Sequence, residues 1–114
     1  MKFLLSLILS FFTLLFISNS SVLSEGLSVD LDAGEQVFSQ NCVSCHAGGA
    51  NLVNPEKTLS IEDLHKYSRD NLEAIIYQVT NGGNGMPRFG ENLSDEQILN
   101  VASYVFSQAK NSAW

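Results

Sequence analysis

Apolar residues recur at Leu72, Ile75, Ile76 and Val79, the i, i+3, i+4, i+7 spacing that lays one stripe along a helix. A second stripe runs through Ile98, Val101, Ala102, Val105 and Ala109, with Tyr104 and Phe106 widening it. Ser94-Asp95-Glu96-Gln97 stands before this stripe and reads as a capping box, so the last helix begins there. A third helix is expected from near Asp32, where Asp32-Ala33-Gly34-Glu35 puts an N-cap acid ahead of an acid three positions on. Val37 and Phe38 are its apolar residues, and it runs into Asn41-Cys42. Gly34 costs stability inside a helix, which points to a close helix crossing at that position. Ser60 caps a short helix, with Asp63 three residues later and Ile61 and Leu64 on one face. The Leu72 stripe begins near Asp70 or Asn71 and stops at Asn81-Gly82.

The polar stretches between these stripes are loops. Ala47-Gly48-Gly49-Ala50-Asn51 is turn-rich. Leu52-Val53-Asn54-Pro55 continues as extended chain, because the residue before proline avoids the helical region. Gly82-Gly83-Asn84-Gly85 leads into Met86-Pro87. No strand alternation or internal repeat breaks the pattern, so the domain is expected to be all-α, with about four helices around one core.

The start of the chain belongs to a different pattern. Lys2 opens a positively charged beginning, Phe3 to Ile17 is almost wholly apolar, and no charge returns until Glu25. This is the layout of a secretory signal peptide over residues 1–28, leaving a domain at 29–114. Residues 3–24 could alternatively be retained as a membrane anchor, but serines and Thr13 dilute the run and small residues suited to cleavage follow it. Val22-Leu23-Ser24 and Gly26-Leu27-Ser28 both fit the cleavage rule. Removal leaves about 86 to 90 residues, near the lower limit for a core that is stable unaided.

Charge narrows the partners. From residue 29 onward eleven Asp and Glu stand against five Lys and Arg. Nucleic acid and anionic membrane surfaces are therefore unsuited, and no stable membrane insertion of the mature domain is expected.

The chemistry is concentrated in Cys42-Val43-Ser44-Cys45-His46. C-x-x-C-H is the attachment site of a c-type haem. Cysteines at i and i+3 on a helical turn present both sulfurs on one face, each for one haem vinyl group, and the adjacent histidine becomes the proximal iron ligand. A thioredoxin-like redox pair needs a βαβ setting, which this pattern lacks. A zinc site from Cys42, Cys45, His46 and His65 lacks the second half of a finger. A Cys42–Cys45 disulfide would close too small a loop to stabilise much.

Once the signal peptide and Met1 are gone, Met86 is the one methionine left, and His65 is the only other histidine besides His46. Met86 follows a flexible glycine run and precedes Pro87, which fixes the backbone direction. His65 lies in a short helix among charged neighbours. Met86 is therefore the expected second axial ligand, with His65 the alternative. A neutral thioether opposite the histidine favours Fe(II) and raises the potential, and two protein ligands suit electron transfer rather than catalysis.

At this point the chain resembles the class I cytochromes c, and within them the cytochromes c6 of algae and cyanobacteria, over almost the whole of its mature length. The resemblance is carried by Asp32-x-Gly34 before Val37-Phe38, the Cys42–His46 motif with Gly48-Gly49 behind it, and Lys57-Thr58-Leu59. It continues through Ile75-Ile76-Tyr77-Gln78-Val79, Asn81-Gly82, Met86-Pro87-x-Phe89-Gly90, Tyr104-Val105 and Trp114. It implies a class I cytochrome c fold around one covalent haem c. It also implies a monomeric single-electron carrier of the thylakoid lumen, taking electrons from cytochrome f of the cytochrome b6f complex to photosystem I. Gly34, Phe38 and Tyr104 would pack where the first and last helices cross. Gln78 would lie against the haem and tune its potential, Asn51 and Lys57 would lie near its propionates, and the mature chain would start at Val29.

Two positions depart from the family pattern: Arg88 stands where alanine is usual, and Asn92-Leu93 where an arginine often precedes the leucine. Arg88 is thus a candidate for the docking charge. The alternatives are a respiratory donor to a terminal oxidase, which the same iron site would serve, and a haem-based gas sensor. A peroxidase-like enzyme has only His65 for acid–base work, so the chain is read as an electron-transfer protein and not an enzyme.

Overall fold

A computed structural model describes residues 1–8 and 28–114. Most of the expected signal peptide, including the Val22-Leu23-Ser24 cleavage candidate, lies outside the described residues. Residues 2–8 are helical and exposed. Among the described residues no helix is long and apolar enough to cross a membrane.

From residue 28 onward the elements are α1 (Leu31–Asn41), α2 (Val43–His46), a 3-10 turn (Ala47–Gly49), α3 (Ile61–Lys66), α4 (Leu72–Asn81) and α5 (Asp95–Lys110). No strand occurs among the described residues, only an isolated antiparallel bridge between Gly83 and Met86. The all-α expectation holds.

Helix ends follow side-chain caps. Ser94 Oγ accepts from the Gln97 N–H at 3.1 Å, and Gln97 Oε1 accepts from the Ser94 N–H at 2.9 Å, which completes the expected capping box of α5. Asn71 Oδ1 accepts from the Ala74 N–H and so starts α4. The start of α1 differs from the expectation by two residues. Its cap is Asp30, whose Oδ1 accepts from the Ala33 N–H at 3.0 Å, and Asp32 sits inside the first turn. Both aspartates satisfy the local rule, and a distant group decides between them. The Asp30 N–H donates to Oδ1 of buried Asn100 on α5, also at 3.0 Å, which fixes the entry of the chain into α1. Asp32 is still favourable where it lies, beside the positive end of the helix.

α1 crosses α5 at Gly34. A β-carbon there would meet the Asn100 carbonyl oxygen at 2.2 Å, so only glycine lets the two backbones approach this closely. Phe38 and Tyr104 flank the crossing with ring centroids 5.5 Å apart. Trp114 returns to the same cluster, 5.3 Å from Phe38 and edge-on to Tyr104, and its Nε1–H donates to the Leu59 carbonyl at 2.9 Å. Val37, Phe38, Leu64, Ile75, Val79, Ile98, Val101, Ala102, Val105 and Ala109 form the core. α5 thus packs against both α1 and α4, and the loops complete the domain around them.

α3 ends in a way the pattern did not announce. The Ser68 N–H donates to the His65 carbonyl at 3.1 Å, the Arg69 N–H reaches back to the Leu64 carbonyl at 2.7 Å, and Ser68 takes a positive φ of 57°. This is a Schellman stop with serine in the place glycine usually holds. It reverses the chain and directs Arg69 inward.

Candidate functional site

A cavity of about 290 Å³ lies between the crossed helices and the loops. Its walls include Phe38, Leu64, Ile75, Val79, Val101 and Val105 from the core. Cys42, Cys45, His46, Asn51, Lys57, Gln78 and Met86, the residues singled out in the sequence, all line it. His65 does not. It is largely exposed, with Nδ1 2.8 Å from Asp70 Oδ2, and this removes it both from the axial position and from any zinc site with the cysteines.

Cys42 caps α2 and Cys45 lies within its single turn, so the short helix sets the two sulfurs beside one cavity. Both are free thiols, and burial pushes the Cys42 thiol up to about 11. A redox-active C-x-x-C pair needs the opposite shift, toward the thiolate. Desolvation by an apolar wall is what a site for a large apolar ligand would impose.

His46 ends the same turn. Its Nδ1 lies 2.8 Å from the Ala50 carbonyl oxygen. An Nδ1–H donated to that carbonyl fixes the tautomer, orients the ring and leaves Nε2 as the free electron pair. The loop is itself held, because the Ala50 N–H donates to Ala47 O and the Leu52 N–H to Cys45 O.

Met86 is presented from the opposite chain segment by a tight turn. Gly83 and Met86 exchange backbone hydrogen bonds of 2.9 and 3.1 Å across Asn84 and Gly85, both at positive φ. Gly82 precedes the turn at a φ of 63°, with no room for a β-carbon beside the Met86 and Pro87 backbone. Beyond Pro87, the Phe89 and Gly90 N–H groups donate to the Val79 and Thr80 carbonyls at 3.0 and 3.1 Å. The methionine is therefore clamped on both sides to the end of α4. Gln78, one turn back on that helix, points Nε2 at Gly82 O, 3.1 Å away, and at Met86 Sδ, 3.8 Å away.

The polar rim carries the other expected residues. Asn51 spans its loop by donating from Nδ2 to Lys57 O at 3.0 Å and accepting at Oδ1 from the Asn54 N–H at 2.9 Å. Lys57 Nζ stands 5.1 Å from the ring centre of Tyr67, itself a wall residue, and Lys66 Nζ stands 5.3 Å from the same ring.

Asp63 stands three residues beyond Ser60, the cap of α3. Ser60 Oγ does accept from the Asp63 N–H at 3.2 Å, but the carboxylate turns to Thr58, accepting from its hydroxyl and, at 3.1 Å, from its N–H. Those bonds hold the Asp63 carboxyl below the usual carboxylate range. Thr58, Asp63, Tyr67 and Arg69 are wall residues to which the sequence patterns assign no place in the site. Arg69 is one of five cations from residue 29 onward, and no spacing rule singles it out.

The donor set fits a c-type haem: two thiols and an imidazole from one helical turn, a thioether from the other segment, and an apolar lining with a basic rim. Arg88 is exposed next to Pro87, away from the core.

Comparison with known proteins agrees with this chemistry. Residues 29–105 match the family model described as cytochrome C oxidase, cbb3-type, subunit III. A cytochrome c6 of the red alga Gracilaria tenuistipitata var. liui is 51% identical over 84 residues, which cover 74% of this chain and 78% of that one. A cytochrome c6 of the cyanobacterium Rippkaea orientalis is 50% identical over 111 residues, 96% of each chain. Among solved structures, the cytochrome c6 of the diatom Phaeodactylum tricornutum is similar at 52% identity with a TM-score of 0.72, covering 75% of this chain and 99% of that one.

Proposed function

The chain belongs to the cytochrome c6 family, and from that premise we propose that it carries single electrons from cytochrome f of the cytochrome b6f complex to photosystem I in the thylakoid lumen. Family membership makes it a haem electron carrier of photosynthesis rather than an enzyme, with one covalently bound haem c. The observation that carries the finer reading is that His46 and Met86, from opposite segments, line one cavity with Cys42 and Cys45. Haem c, when bound, supplies a one-electron Fe(III)/Fe(II) couple.

The residues do the rest. Cys42 and Cys45 would hold the haem by thioether bonds. His46 offers Nε2, and Met86 offers a neutral sulfur that favours the reduced state. With His46 and Met86 both holding the haem iron, no position would be left for oxygen or peroxide. The apolar walls keep water out, and the fixed turns around His46 and Met86 keep ligand rearrangement small between oxidation states. Asn51 and Lys57 stand at the rim, where propionates would lie. Residues 1–28 act as a removed signal peptide, and the mature protein works as a monomer.

Partners meet the domain briefly through a small interface, as a shuttle requires. Arg88, exposed beside Met86-Pro87, supplies a docking charge that speeds the encounter more than it tightens the complex. The test is flash-induced re-reduction of oxidised photosystem I by the reduced holoprotein across a range of ionic strength. Fast, saturable, salt-dependent re-reduction is expected. No acceleration over a redox-matched small molecule would overturn the assignment. A terminal oxidase is the alternative acceptor, which oxygen uptake in oxidase-containing membranes would reveal. Carbon monoxide added to the reduced protein at neutral pH should leave its spectrum unchanged, and a shift would favour a gas sensor.

A further inference from the structure

We propose that Arg69 is a positioning residue that holds the Gln78 amide in the orientation donating to the Met86 sulfur, and thereby raises the reduction potential of the site. The inference rests on Met86 being an axial ligand. Arg69 is half-buried in the cavity wall, where the Schellman stop of α3 delivers it. Its Nε donates to Gln78 Oε1 at 3.4 Å, and its Nη1 lies 3.4 and 3.3 Å from the carbonyls of Tyr67 and Ser68. The guanidinium is thus braced on the end of α3 and reaches across to α4.

A guanidinium has donors only, so it can meet only the oxygen end of an amide. Gly82 O accepts only from the nitrogen end. The two together fix the plane of Gln78 at both ends and leave its second amide hydrogen toward Met86 Sδ at 3.8 Å. A flipped or rotated amide would set oxygen against the sulfur and against Gly82 O, and would face its hydrogens toward the guanidinium. A hydrogen bond to the sulfur draws density from its lone pairs, which weakens donation to ferric iron more than to ferrous iron. Fe(II) is favoured. The positive charge of Arg69 acts in the same direction, so the experiment must separate positioning from charge.

The midpoint potential of the holoprotein is measured for wild type, Arg69→Met, Gln78→Val and the double variant. Arg69→Met is expected to lower the potential, and the drop should shrink by about half or more when Gln78 is already valine. An equal drop in both backgrounds would assign the effect to charge alone and overturn the proposal, as would no drop. Arg69→Lys keeps the charge without the planar fork, so the potential is expected to fall here also. An unchanged potential would overturn positioning even if Arg69→Met fails to accumulate. The far-red absorption of a thioether-bound ferric haem is recorded in the same samples. Its presence in wild type with unshifted potentials rejects Arg69 alone, whereas its absence in wild type rejects Met86 ligation and the inference with it.

Discussion

Gly34 sets how closely two helices lie, and nothing else about α1 could. Replacing it by alanine puts a methyl group 2.2 Å from the Asn100 carbonyl oxygen, so α1 must shift away from α5. The expected loss is about 1–3 kcal/mol, read as a lower midpoint in urea unfolding of the holoprotein. Asp63 makes a prediction of a different kind. Its carboxyl is held below the usual range, chiefly by the Thr58 hydroxyl and then by the Thr58 N–H. A carboxylate with a depressed folded pKa contributes stability that is complete above its unfolded pKa and is lost as pH falls through the folded value. The stability gap between wild type and Thr58→Val should therefore be widest near neutrality and narrow on acidification through that folded value. A gap that stays constant with pH would show that the ionised carboxylate is not involved. Single residues were legible where their chemistry is local. Cys42, Cys45 and His46 spell their motif within five positions, and Met86 emerged because the chain has no other methionine after Met1. Arg69 and the Thr58–Asp63 bond were not legible, since each acts across a turn whose geometry no spacing rule encodes.

Among the elements, the capping box of α5 stood plainly in Ser94-Asp95-Glu96-Gln97, and Ser94→Ala should cost about 1 kcal/mol of stability in the same unfolding measurement. The stop of α3 was invisible because it breaks the usual rule, with serine taking the left-handed position. Ser68 is exposed and its side chain makes no hydrogen bond among the described residues, so the positive φ is a cost without a compensating contact there. Ser68→Gly should raise stability by about 0.5–1 kcal/mol. It should leave the potential unchanged, because the turn that delivers Arg69 is kept. The start of α1 was misplaced by two residues for a reason that belongs to this scale. Asp30 and Asp32 are equivalent to any local reading, and Asn100, seventy positions away, selects between them.

Over the whole molecule, the all-α class and the convergence of two segments on one site followed from the stripes and the motif together. The cavity between them could not be read, because its walls come from every helix and most loops. Without its haem the domain would leave Phe38, Leu64, Ile75, Val79, Val101 and Val105 facing an open space of about 290 Å³ instead of an apolar partner. An ordinary small domain has only about 5–15 kcal/mol of stability to lose. A Cys42→Ala/Cys45→Ala chain, unable to tether its cofactor, should therefore lack a cooperative thermal transition and show far-ultraviolet circular dichroism of a largely unfolded protein. A native-like transition in that variant would mean the helices alone suffice. The helix crossing also has a consequence in time. The bond between Asp30 and Asn100 closes a loop that contains the whole C-x-x-C-H segment, so it forms only after nearly all of the chain is available. Until then the helix pair that encloses the cavity cannot assemble, and Cys42 and Cys45 stay accessible. The topology thus leaves an interval, before closure of the helix pair, in which a cofactor can reach the two cysteines. A chain that folded from local contacts alone would shut that window early.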